Sequence, residues 1–390
     1  MKNLIKFLPI ILIAQFSNAQ DRVITTGVPF LLIAADARSA GMADMGVATS
    51  ADAYSQQYNP SKYAFSKQEQ GFSMSYTPYL TSIANDISLG QITYFNKIND
   101  RSAFAGSLRY FSLGEIELRQ SFDDVGRIVK PAEFSLDGSY SLKLSPEFSM
   151  GVAGRFISSN LRLPTEGANG AAAKSFSVDV AGFYQSEEEA YDSFNGRWRA
   201  GFNLQNLGPK INYELSKNDE GSNFLPSNLR LGAGFDFIFD DYNKVSVIGE
   251  VTKLLVPTPQ SVTDLNNDGV VDAQDSAINN ENYRKTSWTS GIFKSFNDAP
   301  DGFSEELKEF TWALGAEYWY QDSFALRTGY FNESVEKGAR KYLTLGAGFK
   351  YNVVKIDVSY LFSASKVRNP LENTLRFSLT FNFGDEYDDN

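Results

Sequence analysis

The chain has 390 residues, a net charge of -11, 31 Phe, 20 Tyr, 30 Gly and 13 Pro, and neither cysteine nor histidine. Without those two residue types there is no disulfide scaffold, thiolate metal site, thiol nucleophile, Ser-His-Asp triad or histidine zinc centre. The acidic balance argues against nucleic acid, which calls for a basic surface.

In chain order, the first segment is export-like: Lys2 and Lys6, then an apolar run from Phe7 to Phe16, then Ser17-Asn18-Ala19. This predicts a signal peptide over 1 to 19, cleaved after Ala19, because the apolar run falls short of the roughly 20 residues of a membrane helix. Residues 20 to 69 carry mixed small and polar side chains with little alternation. Too short for a well-cored domain, this segment is expected to fill a barrel as an N-terminal plug; a periplasmic extension is the other reading.

From Gly71 onward the period is two. Phe134, Leu136, Tyr140, Leu142 and Leu144 share one face, and Ser135, Asp137, Ser139, Ser141 and Lys143 the other. Strands are predicted at 71 to 79, 87 to 96, 102 to 113, 133 to 144, 147 to 159, 174 to 185, 196 to 206, 228 to 238, 244 to 255, 309 to 319, 323 to 331, 341 to 351, 354 to 364 and 372 to 383. A soluble sandwich also alternates, so the connections decide. Short turns, such as Ser145-Pro146 and Asn352-Val353, interleave with longer loops at 114 to 132, 160 to 173, 207 to 227, 256 to 308 and 332 to 340. That arrangement predicts an all-β fold: a transmembrane antiparallel β-barrel of about 14 strands over 70 to 383, in the outer membrane and its lipid bilayer, with the long loops outside. Thr286 to Phe296 also has strand character, but a fifteenth strand would put later turns on the wrong rim, so it is placed in the extracellular loop 256 to 308. An acidic tail, 384 to 390, closes the chain.

Three features bear on function. Asp264, Asn266, Asp268, Val270 (through its carbonyl), Asp272 and Asp275 stand at calcium-loop positions one, three, five, seven, nine and twelve, with Gly269 at six, and predict a Ca²⁺ site. Asp replaces the usual Glu at twelve, as in the dockerin-type loops that this segment resembles. Asp137, Arg155, Asp179, Arg199, Arg230, Asp236, Glu250, Glu317, Arg327, Lys350, Asp357 and Arg376 fall on the lumen face, where mixed signs predict a paired network. Phe224, Leu225, Leu254, Leu255 and Val256 lie in outer loops as candidate partner contacts, with packing on the rim equally open. No spacing selects a catalytic set, and no enzymatic activity is expected.

Residues 37 to 48, with Asp52-Ala53-Tyr54 and Asn59-Pro60, resemble the plug-to-first-strand region of FadL-like outer-membrane transporters. Lys253 to Thr258, Ser295 to Pro300, Glu317 to Tyr320, Gly329 to Glu333 and Asn369 to Leu371 narrow the resemblance to the PorV family of type IX secretion barrels. The resemblance implies a binding module. It would take exported cargo by its C-terminal domain from the SprA (Sov) translocon and pass it to the PorU-type attachment complex. A FadL-type transporter of hydrophobic small molecules is the alternative.

Overall fold

A computed structural model describes residues 23–81, 84–119, 125–161, 172–213, 222–365 and 369–385. The expected signal peptide and residues 386–390 of the acidic tail lie outside them.

Fourteen long strands form the wall: β1 Gln68–Pro78, β2 Ile87–Asn99, β3 Ser102–Leu113, β4 Ala132–Lys143, β5 Phe148–Asn160, β6 Ala173–Gln185, β7 Asn195–Leu207, β8 Asn228–Ile238, β9 Asn243–Leu254, β10 Phe310–Tyr320, β11 Phe324–Asn332, β12 Lys341–Tyr351, β13 Val354–Ser363 and β14 Leu375–Asp385. Each pairs antiparallel with its neighbours in sequence, and β14 returns to β1 from Gln68↔Asp385 to Tyr76↔Phe377, closing the ring. Closure leaves no open edge, which a sheet in hydrocarbon requires. Strand ends lie within three residues of the expected positions. The last strand runs on through Gly384 and Asp385, so the tail begins later than expected.

The faces show which solvent surrounds the wall. In β4, Ser135 and Asp137 are 0% and 4% exposed, while Leu136 and Tyr140 are 55% and 45% exposed. Apolar side chains point out and polar ones in, the reverse of a soluble sandwich and the pattern of a barrel in lipid.

Residues 28 to 66 are packed within the ring. Short helices α1, Ala37–Ala40, and α2, Ser55–Tyr58, supply few internal hydrogen bonds, so inward-facing wall side chains satisfy much of the remaining backbone. Ala37 N–H donates to Ser378 Oγ at 2.7 Å and Ala43 N–H to Thr344 Oγ1 at 2.9 Å. Gly46 and Val47 N–H both donate to Glu250 Oε2, at 2.9 and 3.0 Å. The approach is close enough to require glycine in the wall: a Cβ on Gly329 would stand 2.5 Å from the backbone N of Ala43.

The longest outer loop holds three helices: α3 Ala273–Lys285, α4 Trp288–Lys294 and α5 Phe303–Lys308. Thr286 to Phe296 is therefore loop, as expected, and mostly helical. Ser287 caps α4 by accepting from Ser290 N–H at 3.2 Å, and Trp288, Ile292 and Phe296 recur at helical spacing.

Candidate functional site

The lumen charges pair across strands and with the plug. Arg155 bridges Asp137 at 2.6 Å and Asp179 at 3.0 Å; Arg327 bridges Glu317 at 2.7 Å and Asp357 at 2.8 Å. Arg230 meets Glu250 at 3.3 Å, and Arg199 pairs with Asp236. Lys350 is the one of the twelve with no ion pair among the described residues.

Plug charges complete the network, and the sequence reading missed them. Arg38 donates Nε and Nη2 to the two oxygens of Glu317 at 2.9 and 2.8 Å, and Nη1 to Asp52 at 2.6 Å. Asp44 takes Arg376 at 2.8 Å, and from the wall Arg109 of β3 donates to the plug carbonyls of Phe30, Leu31 and Ile33. Buried pairs add little net stability, but losing one partner strands a charge in the interior. The network therefore fixes the position of the plug. No periodicity marks Arg38, Asp44 and Asp52; an Arg and two Asp in a small-residue segment were the available signal.

The plug separates two recesses. The outer one, about 500 Å³, mixes Leu254 and Phe331 with Arg230, Glu250, Glu333 and Arg340. The periplasmic one, about 310 Å³, is lined by Arg38, Arg199, Lys350, Lys355 and Asp52 among others.

The candidate partner contacts are not at the surface. Phe224, Leu225, Leu255 and Val256 are buried and Leu254 is half-buried. Leu225 joins Val28, Phe30 and Leu31 in one apolar cluster, and Phe224 packs edge-on against Tyr283 of α3, ring centroids 5.5 Å apart. Their assignment as exposed contacts is thus corrected: α3 of the long loop folds back onto Phe224, and Leu225 is buried against the plug. Exposed large apolar side chains of this rim instead include Phe293, Phe303, Leu307 and Val335.

Beneath the helices, Lys253 bridges Glu306 and Glu309 at 2.7 Å each, and Lys337 bridges Glu305 at 2.7 Å and Glu309 at 3.0 Å. Asp298, Glu306 and Glu309 come within 4.8 Å, but the two ammonium groups already occupy the cluster, so it is an ion-pair knot. Asp298 accepts from Thr258 N–H at 3.0 Å. Burial, reinforced by Glu309 and Glu306, pushes its carboxyl up to about 6. The folded loop thus holds a proton that the unfolded one releases near the ordinary Asp value. Stability contributed here is greatest below that value, falls as pH rises to about 6, and is flat above. Asp298→Asn should therefore protect the loop from protease more than wild type at pH 7.5, with no advantage at pH 4. Equal protection at both pH values would contradict this.

The predicted calcium residues run from the turn ahead of α3 into its first turn. Asn267 and Gly269 adopt left-handed φ of 61° and 87°. Asp264 accepts from Asp268 and Gly269 N–H at 3.2 and 2.9 Å, and Asp268 from Val270 N–H at 2.9 Å. Asp272 caps α3. Asp275 is buried and accepts from Leu265 and Asn266 N–H on one oxygen and Asp272 N–H on the other. Asn266 Oδ1 accepts from Asp268 N–H at 3.0 Å, so Asp264, Asn266 and Asp268 close one turn that Asp275 ties to its helix.

Residues 16–261 match the family model described as Type IX secretion system protein PorV. The chain belongs to the PorV family. This PorV-family chain is an outer-membrane component of type IX secretion. Among solved structures, the P. putida toluene transporter TodX is similar at 12% identity, covering 90% of this chain and 99% of that one, with a TM-score of 0.51, and shares the barrel fold. A Pseudomonas aeruginosa FadL homologue is 15% identical over 90% and 99% of the two chains, TM-score 0.45. No curated protein matches the chain.

Proposed function

We propose that this PorV-family barrel is a non-enzymatic binding and shuttling module that receives cargo C-terminal domains, docks on the SprA (Sov) translocon and passes cargo to the PorU-type attachment complex. The observation that carries this reading is the family match over plug and wall together. The filled lumen supports it: with Arg38 tied to Glu317 and Asp52, the barrel is no conduit for a folded domain, and cargo is handled at the outer loops. The transporter alternative shares the fold, and an outer recess that sets Leu254, Trp312, Phe331 and Tyr342 beside Arg230, Glu250, Glu333 and Arg340 keeps it as the second reading. The test is surface display of cargo in a deletion strain carrying the wild-type chain or none. Display lost without the chain supports the reading, and display retained overturns it.

Residues 264 to 275 are proposed to bind Ca²⁺ and stiffen the loop over this surface. Calorimetry should show a heat of binding with millimolar calcium that Asp264→Ala with Asp268→Ala abolishes, and calcium should slow cleavage near residue 270 in the wild type. No heat from the wild type would reduce the segment to an acidic turn.

A further inference from the structure

Val251 of β9, Trp312 of β10, Asn332 of β11 and Lys341 of β12 stand directly opposite one another from strand to strand, forming one row on the outward face near the outer rim. The next row toward the periplasm, Gly249, Leu314, Tyr330 and Leu343, is apolar and lies ~7 Å deeper. Trp312 and Tyr330 lean together with ring centroids 5.5 Å apart. Aromatic side chains at this depth mark the membrane–water boundary.

Two outer segments roof this part of the wall. Leu307 and Lys308 of α5 and Ser334, Val335 and Glu336 of the following loop overhang it, joined by Lys308 Nζ donating to both oxygens of Glu336 at 2.8 and 2.6 Å. Roof and wall enclose a recess of about 650 Å³. Leu307 and Val335 are exposed, as are Val251 and Trp312 on its floor. Lys341 has no ion-pair partner among the described residues. With Lys308 against Glu336, it leaves a net positive charge at the mouth of an apolar slot, in a chain whose net charge is -11.

We propose that this recess binds an anionic lipid of the outer leaflet, its phosphate at Lys341 and its acyl chains against Trp312, Leu314 and Leu343. The floor continues into the lipid-facing wall, so a membrane component reaches it without leaving the bilayer. The charge selects an anionic headgroup over a zwitterionic one. An overhang also retains a lipid that an open wall would exchange.

The test uses full-length protein in detergent, mixed with dioleoyl phosphatidylglycerol, the matched phosphatidylcholine or lipid A, with retained lipid counted by native mass spectrometry. Phosphatidylglycerol and lipid A should be retained and phosphatidylcholine lost, and Lys341→Gln should weaken retention about fivefold. Lys174→Gln, an outward lysine at the outer end of β6, should retain lipid as wild type does, with both variants showing unchanged heat-modifiable mobility. Displacement of phosphatidylglycerol by lipid A would identify a glycolipid as the occupant; its failure would identify a phospholipid, and either supports the site. Equal retention of phosphatidylcholine, or an equal loss in Lys174→Gln, would overturn it. So would a photo-crosslinker at position 335 that captures only protein in native membranes.

Discussion

Arg38→Met should unseat the plug. The guanidinium is almost fully enclosed and bonds two carboxylates at once, so its loss leaves Asp52 without its arginine partner and Glu317 with one arginine instead of two. Breaking such a buried pair typically costs about 3–5 kcal/mol. The midpoint of the heat-induced mobility shift should fall by several degrees, and planar bilayers should carry open-channel current where the wild type stays closed. Arg119→Met, which removes an exposed pair with Glu117, should cost at most about 1 kcal/mol and leave the channel closed. A closed channel in Arg38→Met would contradict the role given to this ion pair.

Leu255→Ala should destabilise the outer loop by about 2–5 kcal/mol, the range for a fully buried leucine. Phe293→Asp, at a side chain 80% exposed on α4, should change stability by no more than about 0.5 kcal/mol. Limited proteolysis of the two variants measures the contrast. On the proposed function, only the Phe293 change should lower cargo display while the loop remains folded. Similar protease resistance in both would mean that burial of Leu255 does not hold the loop.

The wall was legible because its two faces meet different solvents. In β4 the alternation of Leu136 and Tyr140 with Ser135 and Asp137 is imposed by lipid on one side and a polar interior on the other, and it survives in sequence. Turn lengths then set the count. The contacts of the plug were not legible, because its backbone is held by side chains 300 or more residues away, as Ala43 N–H is by Thr344 and Ala37 N–H by Ser378. Leu254 to Val256 read as an exposed apolar run because nothing local reveals that the chain buries it, with Tyr283 of α3 returning to the Pro257 carbonyl beside it. Thr286 to Phe296 carries both periods, and Ser287 as a cap resolves it toward helix.

The most direct measurement is affinity purification of the chain from native outer membranes in mild detergent, followed by mass spectrometry of everything retained. The PorV-family reading predicts a translocon-sized barrel and exported proteins held by their C-terminal domains, both lost when the 256 to 308 loop is deleted from a barrel that still folds. Recovery of the barrel with a hydrophobic small molecule in its outer recess, and with neither translocon nor cargo, would contradict it.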